Sequence, residues 1–321
     1  NSVGVLGDQV VLDIRSEGDS PAAALTAVQE LVDSGVDAII GPTSSTNVLA
    51  TLSTTVKAGV LMCSPTASAM SLDDYPDDRL FFRTVPSDSL QAVGIARVAV
   101  DLGADDVVIA YVDDAYGRPF ATAVQAALSK TVPDLLAVAF PADQVPSATA
   151  VEQVVAADPD VVIVLADATF GPAVIAAVDT ALTDAIGPRV DTVPTEYVVN
   201  DPMRRPDPNT PLDDDLLARI RGVAPRATPP ATAVDFIDAL TEVDPSASGI
   251  YAVNAYDCLT LIALGAQSAG SSNGRAIHDQ VPDLTSAGRS CTSFSSCTSF
   301  AATTPNINYN GPSGSLTIGP G

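Results

Sequence analysis

The sequence predicts an α/β protein of the doubly wound kind, with parallel sheets covered by helices on both faces. Three observations carry this. Over the first 200 residues, short β-branched runs alternate with Ala-rich stretches of helical spacing, the pattern of repeated βαβ units. The strand candidates are nearly all apolar rather than alternating, as strands buried on both faces must be. The length, 321 residues, suits about two domains at ~150 residues each.

The elements follow in order. Residues 10–14 read as a strand. Ser20 then supplies an N-cap and Pro21 an N1 residue for a helix to about Asp33. Residues 37–40 form the next strand, 45–58 a helix, and 60–62 and 80–85 two more strands. A helix over 88–102 leads to strands at 107–112, 135–140, 161–165 and 196–199, with helices between them. Then the rhythm breaks. Residues 201–211 carry four prolines and read as a loop. A strand is expected at 220–223 and helices at 231–240 and 250–269. Residues 282–315 are short of regular pattern and rich in Ser, Thr, Asn and Gly. No tandem repeat is visible.

Composition narrows the function. Asp and Glu total 39 against 15 Lys and Arg, a net charge of −24. A nucleic-acid partner needs clustered cations to displace counterions, and an anionic membrane surface needs them too. The chain is nonetheless 46% apolar with mean hydropathy +0.26, which disfavours disorder. No apolar run approaches the ~20 residues of a membrane span. Of the four cysteines none forms a C-x-x-C pair, and a single His cannot complete a Cys/His zinc site. No metal, no cofactor and no catalytic residue is therefore assigned. A Ser-His-Asp triad needs a base, and His278 lies in a polar stretch, 273–281, that reads as surface.

In a doubly wound sheet, ligands bind beyond the carboxyl ends of the strands. Four such places stand out. Gly41-Pro42-Thr43-Ser44-Ser45 exposes backbone N–H groups at a helix start, suited to a carboxylate or phosphate; an ordinary serine N-cap reads the same way. Ser64-Pro65-Thr66-Ala67-Ser68 again offers hydroxyls and backbone, or is a plain turn. Asp113-Asp114-Ala115-Tyr116-Gly117 places an aromatic at a strand end, as a pocket wall or as a surface Tyr beside an Asp-capped helix. Asp167 and Asn200/Asp201 offer polar and acidic groups for a ligand ammonium, or are solvated surface residues.

This ordered set, together with Phe-Phe-Arg-Thr at 81–84 and Asn308-Tyr309-Asn310-Gly311-Pro312-Ser313-Gly314, resembles the type I periplasmic binding proteins, in particular the leucine/isoleucine/valine-binding branch that serves ABC importers. The resemblance implies two α/β lobes joined by a multi-strand hinge that close on a ligand. The first lobe would be residues 1–84 and 225–310, the second 85–224 and 311–321. It implies an extracytoplasmic, monomeric, non-enzymatic protein that captures an amino acid or a similar compound in an interlobe cleft and delivers it to an ABC transporter permease. By position, Ser45, Ala67 and Ser68 would hold the ligand's carboxylate and ammonium. Tyr116, Asp167 and Asp201, with Asn200 beside it, would approach from the second lobe. Thr43, Ser44, Thr66 and Tyr251 would complete the pocket, and polar Thr43, Ser44 and Asp167 argue against a purely aliphatic ligand. Relatives carry a local cysteine pair, so a Cys291–Cys297 disulfide is implied, worth about 2–3 kcal/mol for so short a loop. Cys63 and Cys258 read as inert, buried, small apolar residues. The family's opening strand, central in its first sheet, is expected to be absent from this chain, as are its last strands. A ligand-sensing ectodomain of the same fold and, remotely, an α/β hydrolase are the alternatives.

Overall fold

The structure, a computed structural model, describes residues 4–142, 146–186, 194–204, 212–224, 233–245, 251–303 and 306–319. The chain divides into two compact units, the first comprising residues 1–68, 74–86 and 228–321 and the second residues 69–73 and 87–227.

The first unit begins with helix α1 (Pro21–Ser34), capped by the Ser20 side chain on the Ala23 N–H and closed by Gly35 in a left-handed conformation. Strand β1 (Ala38–Ile40), helix α2 (Ser45–Ala58), strand β2 (Leu61–Ser64) and strand β3 (Phe81–Arg83) follow, in a parallel sheet of order β1-β2-β3.

The second unit holds α3 (Asp88–Asp101), β4 (Asp106–Val112), α4 (Gly117–Leu128), β5 (Asp134–Phe140), α5 (Ala148–Ala156), β6 (Val161–Leu165), α6 (Phe170–Ile186), β7 (Glu196–Val199), α7 (Asp214–Ala218) and β8 (Ile220–Gly222). Its five strands are all parallel, in the order β5-β4-β6-β7-β8. Strand alternation sorts the side chains. Val108, Ala110, Val162 and Val164 face α5 and α6 through Val154, Phe170, Val174 and Val178. Val107, Ile109, Val161 and Ile163 face α3 and α4 through Ile95, Ala99, Phe120 and Val124. Both faces are covered, which is why these strands carry so few polar residues.

The chain then returns to the first unit with α8 (Val234–Val243), α9 (Ala252–Ala269), α10 (Gly274–His278), α11 (Val281–Leu284), β9 (Arg289–Cys291), α12 (Phe294–Ala301), β10 (Ile307–Gly311) and β11 (Gly314–Ser315). Leu61, Cys63 and Phe82 of the sheet pack there on Cys258, Leu261, Ile277, Val281 and Tyr309. Among the described residues no helix is long and apolar enough to cross a membrane.

Five expectations need correction. Residues 10–14 form no strand among the described residues, and Val11 and Ile14 are 86% and 82% exposed; a β-branched run becomes a strand only with a ladder partner beside it. Residues 282–315 do carry regular structure, with α12 started by a Ser293/Ser296 capping box. Residues 311–319 belong with the first unit, because β11 pairs antiparallel with β10 and the Ile318 N–H donates to Thr285 Oγ1 at 3.1 Å. Cys63 and Cys258 are buried but bonded to each other, and Cys291 is bonded to Cys297. Finally, His278 is only 2% exposed. Helix α10 lies close on the sheet, where any side chain on Gly274 would meet Leu80 and the Gly59 carbonyl, and this turns His278 inward, edge-on to Phe82 with ring centroids 6.4 Å apart. Residues 205–211 of the expected proline-rich loop, the first two residues of the expected 231–240 helix and the first of the expected 250–269 helix lie outside the described residues.

Burial pushes the His278 pKa down. Asp77 and Asp279, and a hydrogen bond with the Phe81 backbone, hold it up, while Arg79 adds to the depression; burial is the largest effect. A depressed folded pKa means that the stability due to the neutral ring is complete above its ordinary value of 6.5 and is lost as the pH falls through the folded value. His278→Gln is expected to flatten the loss of thermal stability on mild acidification. Parallel unfolding profiles for the two proteins across that range would refute this.

Candidate ligand site

In the first unit, the residues singled out at the ends of β1 and β2 come together as two fastened loops. Gly41 leaves the sheet at φ +108°, a conformation glycine adopts without strain, and its N–H donates to the Cys63 carbonyl at 2.8 Å. Ser64, buried at the end of β2, clasps both loops. Its Oγ donates to the Pro42 carbonyl at 2.7 Å and accepts the Ala67 N–H at 3.1 Å. Thr66 Oγ1 adds a bond to the Thr43 carbonyl at 2.5 Å, and Arg83 donates to the Ala67 carbonyl at 3.3 Å.

Within this frame the serines differ. Ser44 is the N-cap of α2, its side chain accepting the Asn47 N–H at 3.0 Å. Ser45 is the first residue of the helix and is buried. The capping alternative therefore holds for Ser44, and Ser44→Ala is expected to cost about 1 kcal/mol of stability in denaturant unfolding. Ala67 and Ser68 are buried and Thr66 is half-buried. Tyr251 stands just before α9 in a left-handed conformation, φ 59°, unusual for a residue with a side chain.

In the second unit, the ends of three neighbouring strands are tied together. Asn200, buried after β7, accepts the Ala166 N–H at 3.3 Å after β6 and donates to the Tyr116 hydroxyl at 3.0 Å after β4. The Tyr116 ring is half-buried, edge-on to Phe120. Asp114 caps α4 through the Tyr116 and Gly117 N–H groups, at 2.9 and 2.7 Å, so this capping alternative holds as well. Gly117 is required there, since a Cβ would lie 2.0 Å from the Val112 carbonyl oxygen. Asp113 pairs with Arg118, which holds its carboxyl below the usual range. Asp167 is exposed, and one of its oxygens accepts the Thr169 and Phe170 N–H groups at the start of α6, at 2.8 and 2.7 Å. Asp201 is half-buried and opens a short 3₁₀ turn over Asp201–Arg204.

Two roles escape sequence reasoning. Ser64 lies in the Ser-Pro-Thr-Ala-Ser segment, but no local signal marks it as the residue that joins the loops. Glu17 lies in none of the segments singled out. Its carboxylate accepts the Thr43 N–H at 2.7 Å and also the Thr43 hydroxyl, a contact across 26 residues that no spacing announces. A groove of about 440 Å³ elsewhere in the first unit, lined by Leu264, Gln280, Leu284, Thr298 and Ile307 among others, contains none of the candidate residues.

Chemically, the loops offer small hydroxyls, backbone N–H groups and a helix start, which are the means of holding a small zwitterion or anion. The hydroxyls have no histidine beside them for base catalysis, because His278 is buried in α10 against Phe82. No group of three or more His, Cys, Asp or Glu able to hold a metal ion occurs among the described residues.

Doubly wound sheets bind small molecules beyond the carboxyl ends of their strands, and both units carry polar loops there. Residues 1–293 match the family described as "Periplasmic binding protein", and the chain belongs to that family. It is 30% identical over 128 residues to the Leu/Ile/Val-binding protein BraC3 of Rhizobium johnstonii, a stretch covering 39% of this chain and 34% of that protein. It thus matches about a third of that curated relative's length. Its fold is similar to that of a leucine-binding protein LivK from Thermotoga maritima, with TM-score 0.71 and 17% identity over 88% of this chain and 79% of that one. It is also similar to the substrate-binding protein LivJ of Streptococcus pneumoniae, solved with isoleucine, with TM-score 0.66 and 21% identity over 88% and 78%.

Proposed function

We propose that the protein is an extracytoplasmic solute-binding protein that captures an amino acid or a similar small zwitterion for an ABC importer, and performs no chemistry on it. The observation that carries this is the Ser64 clasp, which holds Gly41–Ser45 and Ser64–Ser68 as one surface of hydroxyls and N–H groups at adjacent strand ends. On that surface Ser45, Ala67 and Ser68 are assigned the ligand carboxylate and ammonium, with Thr43, Ser44, Thr66 and Tyr251 around its side chain. In the second unit Tyr116, with its hydroxyl oriented by Asn200, and Asp201 are assigned further contacts. Asp167 is the weaker candidate, as one of its oxygens already serves α6. The Leu/Ile/Val-binding relative supports the amino-acid class, and the likeness to LivJ, described as a branched-chain amino acid transporter substrate binding protein, supports the permease as partner.

Calorimetry against an amino-acid panel tests the reading. At least one amino acid is expected to bind, and Ser45→Ala to weaken it roughly tenfold, the loss of one charge-assisted hydrogen bond. Failure to bind any amino acid or similar small zwitterion would reject it. Unchanged affinity in Ser45→Ala would reject the assigned carboxylate contact.

A further inference from the structure

The Glu17–Thr43 contact places a carboxylate within the candidate site. Glu17 is half-buried. Thr43 gives it both of its donors, the N–H to Oε2 and the hydroxyl to Oε1. The Thr43 carbonyl is in turn bonded by Thr66, so Glu17 touches the first loop directly and is one residue removed from the second. No cation neutralises it among the described residues. Arg15, its nearest basic neighbour in sequence, pairs with Asp13 and Glu30 instead, and Arg83 points to the Ala67 carbonyl.

A carboxylate offers about four lone-pair positions. Thr43 occupies two, which leaves one acceptor position on each oxygen. An aliphatic ligand side chain packed against Thr43 would desolvate this charge and return no hydrogen bond. A ligand carboxylate at the α2 start would also be repelled by it unless the ligand carried a second cation. A side chain ending in an ammonium or guanidinium resolves both problems, by neutralising the charge and donating to the free acceptor positions.

Resting on the proposed placement of the ligand at these strand ends, we infer that Glu17 is a specificity residue that selects amino acids with a cationic side chain over leucine, isoleucine and valine. Glu17→Gln is the informative variant. Its amide oxygen keeps an acceptor for the Thr43 N–H while the charge is removed, so a purely structural role for Glu17 would alter stability and leave ligand preference alone.

The test is calorimetry of the full chain with arginine, lysine, glutamine and leucine, for wild type and Glu17→Gln, alongside thermal unfolding of both. The wild type is expected to prefer arginine or lysine to leucine, and the variant to reduce that ratio roughly tenfold. Leucine binding that equals or exceeds that of the cationic amino acids would overturn the inference and leave the solute-binding function standing. So would a preference that Glu17→Gln leaves within about twofold. If the wild type binds none of the four, the inference about Glu17 is overturned, and the wider amino-acid panel decides whether the solute-binding reading stands.

Discussion

Loss of the Cys63–Cys258 bond is expected to destabilise the protein by about 5 kcal/mol in the chain-entropy limit, against about 2 kcal/mol for Cys291–Cys297. The difference lies in the loops. Cys63 and Cys258 are 195 residues apart, whereas Cys291 and Cys297 are six apart. The long loop contains the whole of 87–227, the main body of the second unit. In the folded chain the bond joins β2 to α9, two elements of the first unit contributed by opposite ends of the sequence. In the unfolded chain it forbids their separation, and the entropy it removes grows with the logarithm of loop length. The bond also lies in the core, with both cysteines fully buried and Thr84 Oγ1 3.6 Å from the Cys258 sulfur. Denaturant unfolding of Cys63→Ala/Cys258→Ala and of Cys291→Ala/Cys297→Ala would measure the two losses. Equal losses would show that local strain or packing, not the length of the closed loop, sets the contribution of each bond.

That pairing marks where sequence reasoning stops. Elements with local punctuation are legible. Helix α2 was expected over 45–58 and is found there, bounded by the Ser44 cap and Gly59. Strands β4, β6 and β7 were apparent from apolar runs that the structure buries on both faces. Features that depend on a distant partner are not legible in this way. Residues 10–14 have the composition of a strand but no neighbour to pair with among the described residues. Cys63 and Cys258 have no local signature of a bond, because the contact is made by folding. Helix α12 was hidden for a different reason. Its sequence, FSSCTSFA, is poor in strong helix formers, and the Ser293/Ser296 box that starts it pairs two serines in place of the usual Ser/Thr with Glu/Gln. The candidate site divides along the same line. The hydroxyl-rich strand ends could be read directly, but that Ser64 binds them together, that Asn200 orients Tyr116 and that Glu17 reaches Thr43 are consequences of tertiary structure.

Asp257→Ala is expected to cost about 3 kcal/mol, because it orphans the buried Tyr309 hydroxyl and the N–H of half-buried Ser313, at ~1–3 kcal/mol each. Asp257 is fully buried in α9. One oxygen accepts the Tyr309 hydroxyl at 2.6 Å and the other the Ser313 N–H at 3.0 Å, so this one side chain fixes the β10–β11 hairpin to the helix. The fit is close: a Cβ on Gly311 would lie 2.0 Å from the carboxylate and 2.2 Å from the Tyr309 hydroxyl oxygen. Asp257→Asn should be far milder, about 1 kcal/mol, since the amide oxygen can serve Ser313 while the Tyr309 hydroxyl turns to accept from the amide nitrogen. The pH dependence distinguishes charge from geometry. Burial pushes the Asp257 pKa up and outweighs the hydrogen bonds from Ser313 and Tyr309 that pull it down. A raised folded pKa means that the stability contributed by this group is complete below its ordinary value of 3.8 and is lost as the pH rises through the folded value. The asparagine side chain does not titrate, so the cost of Asp257→Asn should shrink from acid to neutral pH, while the orphaned donors of Asp257→Ala persist throughout. Denaturant unfolding of the three proteins across that range measures both effects. An Asn variant as unstable as the Ala variant at neutral pH would show that a charged acceptor, and not an acceptor alone, is needed to hold the hairpin.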